Sequence, residues 1–436
     1  MDIVHSELDG IPCEYKILEK LGEGGFSKVY KCERIMNGNH DIFAVKVFSR
    51  SFLKMQKTWN QTNDSVVVST ALEKVEREIA LMKRLRHPNL VQLIDVVDDE
   101  EQDQIYMVIE YVENGQIMYY DPLTHTFSNR ITHGVLTEAM AKKYLYDIVS
   151  GLQYLHIHKV VHRDIKPENI LISKDDHCKI VDFGVAHIFD TFNSEEGSSN
   201  GKEPTALPVS SRPLNLLTRT NTGLMTNTAG TTYFYPPECC NDEPYNTFAA
   251  DIWALGVTLF AMVVGRLPLF NPDYIAFMDD LTEKEIVIPT NLSPELQDLL
   301  HRFLEKDPTK RISIDEILAH PWLQSYIPDA NSITSPSISR ENISNQEIRH
   351  ALSLRISNPL PPKEVASALE EISEENEHKT LHEEPENVEP EEKVVVEEKR
   401  IMENPVSLSK EDNRTAVEVK TVETKQDLSG DCCCVY

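Results

Sequence analysis

The chain has no apolar run long enough to cross a bilayer. Its longest, Ile252 to Val264, is 13 residues, where a spanning helix needs about 20; it reads as a buried core helix. The opening Met1-Asp2-Ile3-Val4-His5-Ser6 lacks the basic-then-apolar order of a secretory signal. None of the eight cysteines (Cys13, Cys32, Cys178, Cys239, Cys240, Cys432, Cys433 and Cys434) stands at metal-ligand spacing. With no secretory context to favour disulfides, reduced thiols and a cytoplasmic location are expected. Positive charge is also scarce: 43 Lys and Arg against 71 Asp and Glu leave a net charge of −28. That balance excludes a protein that works by coating nucleic acid, because phosphate binding needs a basic surface. It equally excludes docking on an anionic membrane by charge alone. There is no internal repeat of useful length.

What is present divides the chain in two. A length of 436 residues allows a large packed core. Strand-like and helix-like runs alternate up to Pro321-Trp322-Leu323. Beyond lie a Ser/Asn-rich stretch, Asn331 to Asn358, then Pro359, Pro361 and Pro362, then a Glu-rich tail. Residues 361–436 hold 21 acidic and 9 basic side chains and few aromatics. Such a segment buries too little apolar area to offset chain entropy, so disorder is expected there. Within the first part, Ser49 to Thr70 and Asp190 to Asn227 are polar, show no clear period, and read as long loops.

Four motifs carry chemistry. Leu21-Gly22-Glu23-Gly24-Gly25-Phe26-Ser27 lies between strand-like flanks, and its glycines let backbone N–H groups approach phosphate oxygens. On its own it fits an ordinary hairpin turn equally well. Phe43-Ala44-Val45-Lys46-Val47-Phe48 buries a lysine in an apolar strand, which is costly unless the charge is paired. A helix-like run, Leu72 to Leu85, follows with Glu73, Glu76 and Glu78; Glu78 is the expected partner, just ahead of Ile79, Leu81 and Met82. Next, His162-Arg163-Asp164-Ile165-Lys166-Pro167-Glu168-Asn169 packs charge between apolar flanks. A carboxylate beside a lysine and an amide suits proton acceptance from a hydroxyl and cation coordination. Eighteen residues after Asp164, Asp182-Phe183-Gly184 ends an apolar strand and suits a metal ligand.

In this order and spacing the four match the signature set of protein kinases. The segment from about Tyr15 to Leu323 resembles a eukaryotic protein kinase domain, and Lys166, two residues after Asp164, resembles the serine/threonine branch. The resemblance implies an α+β, bilobal protein kinase fold: an N-terminal extension (1–14), a small mostly β lobe (about 15–111), a large mostly α lobe (about 112–323) and a disordered acidic tail (324–436). It implies ATP and Mg2+, with Mn2+ as a substitute. Gly22, Gly24, Gly25, Val29, Ala44, Lys46, Glu78, and the backbone of Glu110 and Val112 would hold ATP, with Ile109 behind the adenine. Asp164 and Lys166 would act on the transferred group, and Asn169 and Asp182 would bind the metal. Pro236-Pro237-Glu238 stands where kinases usually have Ala-Pro-Glu; Glu238 should pair with Arg311. Asp251 should open the central helix and anchor the catalytic loop. Ser27 replaces a third glycine. Asn227 stands where many relatives place an activating threonine, leaving Thr226 and Thr228 as candidates before Thr231 and the substrate groove.

Finer resemblance points to kinases that switch on AMP-activated protein kinase. His87 to Asp99, Tyr106 to Glu110, Gly115-Gln116-Ile117-Met118 and Asn227 to Thr231 look like calcium/calmodulin-dependent protein kinase kinase. Pro236-Pro237-Glu238 and Asp251-Ile252-Trp253 look closer to the tumour-suppressor liver kinase. The expected partners are therefore protein substrates, namely kinase activation loops. Calmodulin is a weak candidate: Ile348 to Ile356, with Arg349, His350 and Arg355, is short and mildly basic, where its targets are strongly basic amphipathic helices. Cys432, Cys433 and Cys434 could take lipids. The acidic tail offers no polybasic second signal, so an anchor there would need two lipid chains. Two other classes compete with an active protein kinase. A kinase-like scaffold would be expected to lack Lys46, Asp164, Asn169 or Asp182. A small-molecule phosphotransferase would not need the groove segment Gly230 to Glu238.

Overall fold

A computed structural model describes residues 3–8, 10–61, 66–189, 224–225, 230–241 and 243–326. Thr226, Asn227, Thr228, the Ile348 to Ile356 segment, the acidic tail and the three terminal cysteines lie outside these residues. The first part of the chain runs β1 (Ile3–Leu8), β2 (Ile11–Glu23), β3 (Ser27–Met36), β4 (Asn39–Ser49), α1 (Arg50–Met55), β5 (Lys57–Gln61), β6 (Val66–Thr70), α2 (Ala71–Met82), β7 (Leu93–Asp99) and β8 (Gln104–Glu110). Six of these strands form one antiparallel sheet in the order β1-β2-β3-β4-β8-β7.

The sheet is built on period-two alternation, which sends successive side chains to opposite faces. In β4, Phe43, Val45 and Val47 join an outer cluster with Tyr15, Cys32 and Val108. Ala44 and Phe48 face the other way, into the main core with Val29, Met107, Ile109 and the buried face of α2. The segment ahead of residue 15 is not a separate extension. β1 pairs with β2 from Ile3↔Lys16 to Leu8↔Ile11, and Val4 covers the outer cluster. Gly10, at φ +82°, turns the chain between the two strands. Ser6 Oγ and Tyr15 Oη both donate to Asp95 Oδ2, at 2.7 and 3.1 Å, fastening the hairpin to β7. The small-lobe sheet therefore starts at Ile3, because its outer apolar face needs a cover.

The stretch Ser49 to Thr70 is likewise not a loop. It contains α1 and a hairpin in which β5 pairs with β6 from Lys57↔Thr70 to Gln61↔Val66. Its polar composition hid two local signals. Ser49 Oγ accepts the Phe52 N–H at 3.3 Å as a helix N-cap, and Val66-Val67-Val68 is a β-branched run. Thr70 then caps α2 by accepting the Glu73 N–H at 3.3 Å.

The remaining elements are β9 (Tyr119–Asp121), β10 (Thr126–Ser128), α3 (Glu138–Ile157), β11 (Val160–Val161), β12 (Ile170–Ile172), β13 (Cys178–Ile180), β14 (His187–Ile188), β15 (Leu224–Met225), β16 (Tyr245–Asn246), α4 (Thr247–Val264), α5 (Tyr274–Glu283), α6 (Pro294–Phe303), α7 (Ile314–Ala319) and α8 (Pro321–Gln324). Of Asp190 to Asn227, only Leu224 and Met225 are described; they pair with β16. The central helix α4 starts at Thr247, a full turn before Asp251, because Asn246 Oδ1 accepts the N–H groups of Phe248 and Ala249 at 3.0 and 3.3 Å. By length and composition its 18 residues could cross a membrane, yet it is a mostly buried core helix against α3 and α6.

Glu238 and Arg311 pair as the sequence suggests. The guanidinium donates to both carboxylate oxygens, at 2.6 and 2.8 Å, and to the carbonyls of Glu305 and Ala249, each at 2.9 Å. The Arg311 side chain is 1% exposed and lies 5.1 Å from the Trp253 ring. Removing one partner of a buried pair strands the other charge and costs about 3–5 kcal/mol. Glu238→Ala is therefore expected to lower the urea midpoint of unfolding by that equivalent. The urea curves of the variant and the unaltered chain check this.

Candidate active site

The strand registers line up the first site residues. Gly22 lies opposite Val29, and Val29 opposite Lys46, across β2, β3 and β4. Directly opposed residues share a sheet face, so the glycine-rich segment begins on the same inner face as Lys46. The Gly24 N–H donates to the Ser27 carbonyl at 2.8 Å and closes the turn. Val29, Ala44, Ile109 and Val112 are buried in one apolar cluster, which also includes Leu171 from β12, a residue sequence reasoning did not single out. The Glu110 N–H is used by the Gln92 carbonyl at 2.9 Å, and the Glu110 carboxylate pairs with Lys179 at 2.9 Å.

Lys46 Nζ lies 3.1 Å from Glu78 Oε1, the expected partner, and also 3.1 Å from Asp182 Oδ1. Burial alone would push the lysine pKa down, but the carboxylates of Asp182 and Glu78 outweigh it and hold the ammonium protonated. Asp182 stays ionised: burial opposes its charge, and Lys46 more than compensates. Burial pushes the Glu78 carboxyl up, and although Lys46 opposes this, the nearby Asp182 charge adds to it. Asp182 sits at φ +62° and Arg163 at φ +70°. Non-glycine residues take that left-handed conformation at a cost, and such positions cluster at functional sites.

The catalytic loop hangs from α4. Asp251 accepts the backbone N–H groups of His162 and Arg163 at 2.9 and 2.8 Å. Burial raises the Asp251 carboxyl, but hydrogen bonds from His156, at 2.9 Å, and from the loop hold it below its ordinary range. His156 is a residue the sequence pattern did not reveal; it comes from the far end of α3. His162, also missed, sets its Nε2 3.0 Å from the Val181 carbonyl, linking this loop to the strand before Asp182.

Both oxygens of Asp164 are engaged. Oδ1 accepts the Thr231 N–H at 2.9 Å and the Thr231 hydroxyl at 2.8 Å. Oδ2 accepts the Asn169 amide at 2.9 Å and lies 2.9 Å from Lys166 Nζ. Lys166 also donates to Thr231 Oγ1 at 2.7 Å. Burial lowers the Lys166 pKa, and Asp164 more than restores it, leaving the ammonium charged. Gly230 makes this packing possible. At φ +112°, a Cβ there would overlap the Arg163 carbonyl oxygen. Among the candidate groove residues, Thr231 thus joins the site; Thr228 falls outside the described residues.

A metal fits the donor set. The Asn169 amide donates to both the carbonyl and the carboxylate of Asp164, each at 2.9 Å, which leaves its Oδ1 buried without a hydrogen-bond partner. A buried bare amide oxygen and an ionised Asp182 carboxylate are the kind of donors a hard divalent cation prefers. The arrangement can therefore neutralise polyphosphate charge, hold a hydroxyl beside a fixed carboxylate, and supply two ammonium groups to phosphoryl oxygens.

Residues 15–323 match the protein kinase domain family. Arabidopsis thaliana serine/threonine-protein kinase GRIK1 is 34% identical over 304 residues, covering 70% of this chain and 65% of that protein. Serine/threonine-protein kinase GRIK2 of the same plant is 33% identical, with 72% of this chain and 67% of that protein covered. Serine/threonine-protein kinase ssp1 of Schizosaccharomyces pombe is 32% identical, with 78% and 48% covered. The chain thus spans about two thirds of the two plant relatives and about half of the yeast one. It belongs to the protein kinase family, and the relatives named are of the serine/threonine branch.

Asn169→Leu removes the bare oxygen and the bond to Asp164 together. Loss of one such positioning group costs on the order of 100- to 1,000-fold in kcat, and the Mg2+ concentration for half-maximal rate should rise. A titration of phosphorylation rate against Mg2+ checks both.

Proposed function

We propose that this chain is an ATP-dependent protein serine/threonine kinase that phosphorylates the activation segments of other kinases, among them relatives of AMP-activated protein kinase. The observation that carries the catalytic part is Asp164. Its carboxylate is fixed by Thr231, Asn169 and Lys166 at hydrogen-bond distance. A carboxylate so held can orient a substrate hydroxyl and accept its proton. Lys166, charged and buried beside it, would steady the transferred group. Lys46 would hold the α/β-phosphates, kept in place by Glu78. Asn169 and Asp182 would hold Mg2+, whose charge neutralises the phosphate oxygens during transfer. Phosphoryl transfer asks the protein mainly for positioning and charge stabilisation, and these residues offer both.

The upstream role rests on the resemblance of His87 to Asp99, Tyr106 to Glu110 and Gly115 to Met118 to calcium/calmodulin-dependent protein kinase kinase. A kinase of another signalling pathway is the second reading. It is favoured by the α1–β5–β6 segment, which holds neither prolines nor an arginine cluster where those kinases carry an Arg/Pro-rich insert. A scaffold without activity is disfavoured, because Lys46, Asp164, Asn169 and Asp182 are all present, Lys46 paired with Asp182 and Asp164 bonded to Asn169 and Lys166.

A radiolabel assay with Mg-ATP and an AMP-activated-kinase domain as substrate separates these readings. Strong labelling is expected, falling at least about 100-fold in Asp164→Asn. Equal labelling by both proteins would refute the catalytic assignment. Labelling of a generic peptide but not of that kinase domain would support the second reading.

A further inference from the structure

The glycine-rich turn and helix α1 are neighbours by register. The last β3–β4 pair is Ser27↔Phe48. One residue further out on each strand stand Phe26, in the glycine-rich turn, and Ser49, the cap of α1. The third helical residue of α1 is Phe52, and its ring lies 6.2 Å from that of Phe26, tilted by 44°. Both rings are partly in water, 41% and 38% exposed, and meet outside the buried core.

Helix α1 is itself well fixed. Leu53 is fully buried in the main core with Leu72 and Val75 of α2. The Asp103 carboxylate, on the turn entering β8, accepts the Ser49 hydroxyl at 3.0 Å and the Ser51 N–H at 2.9 Å. The Arg50 N–H donates to the Asp103 carbonyl at 3.0 Å, and the Arg50 guanidinium pairs with Asp98 and Glu100. A well-anchored helix thus offers one partly exposed aromatic ring to the tip of the glycine-rich turn.

We propose that Phe52 is a positioning residue that clasps the glycine-rich turn through Phe26 and so holds its backbone N–H groups over the ATP phosphates. The inserted segment, read from sequence as a loop, then serves nucleotide binding rather than protein docking. This rests on the reading that the chain binds ATP, and the experiment separates the two. Wild-type ATP affinity, measured by calorimetry with Mg2+, tests that reading first: no binding would sink it and the clasp together.

Given wild-type binding, Phe52→Ala should weaken ATP and raise its KM roughly two- to tenfold, the span expected for one aromatic pair. The KM for protein substrate, and the melting temperature, should stay near wild type, since Leu53 and Asp103 still fix α1. Phe52→Tyr should restore ATP affinity. Phe26→Ala should match Phe52→Ala, and the double variant should be no worse than either single one, as for two residues acting through one contact. An unchanged ATP affinity in Phe52→Ala, or additive losses in the double variant, would overturn the clasp. So would a rise in KM confined to the protein substrate, which would make the pair a docking surface instead.

Discussion

A lysine ammonium in the middle of a buried sheet face is the constraint on which the rest of the site depends. Water cannot solvate it there, so carboxylates must come to it. Glu78 arrives on α2 and Asp182 on the segment after β13, each at 3.1 Å. One buried charge therefore joins three elements far apart in the chain: a strand, a helix and the metal-ligand loop. The two carboxylates exceed the single ammonium by one charge. Burial then raises Glu78 while Asp182 stays ionised. The cluster is short of positive charge, which a divalent cation held by Asp182 and Asn169 would supply.

The large lobe solves a matching problem from the other side. Its catalytic loop has little regular structure, so its backbone groups need outside partners. Asp251, buried in α4, takes two of them, and His156 keeps that carboxylate charged. Gly230 lets the groove segment come close enough for Thr231 to reach Asp164. The apolar helix that looks like a membrane span from composition is the post on which this loop is hung. Its burial and its function are the same requirement.

Residues whose chemistry is costly outside one role were legible in the sequence. Lys46 in an apolar strand, Asp164 beside Lys166, and Asp182 before Phe-Gly each announced a partner, and Glu78 and Arg311 answered as expected. Features resting on tertiary context were not legible. In sequence β1 looks like an extension, because its purpose is to cover a face made by other strands. The Ser49 to Thr70 segment looks like a loop because its helix is only six residues long and most of its hairpin is polar. His156 and His162 were missed because their partners lie 95 and 19 residues away. Phe52 carried no sequence signal at all; only its ring distance to Phe26 draws attention to it.

On the proposed reading, Glu78 serves to position Lys46 rather than to stabilise the fold. Replacing it with the isosteric, uncharged glutamine keeps a hydrogen-bond acceptor for the ammonium and removes the surplus buried carboxylate. The direct measurement is kcat/KM for ATP alongside the melting temperature of Glu78→Gln. A loss of about tenfold in kcat/KM is predicted, the worth of the charge assistance lost when a neutral amide replaces the carboxylate against the ammonium, with a melting temperature equal to or above that of the unaltered chain. Unchanged kcat/KM, or activity lost only in step with the folded fraction, would contradict it.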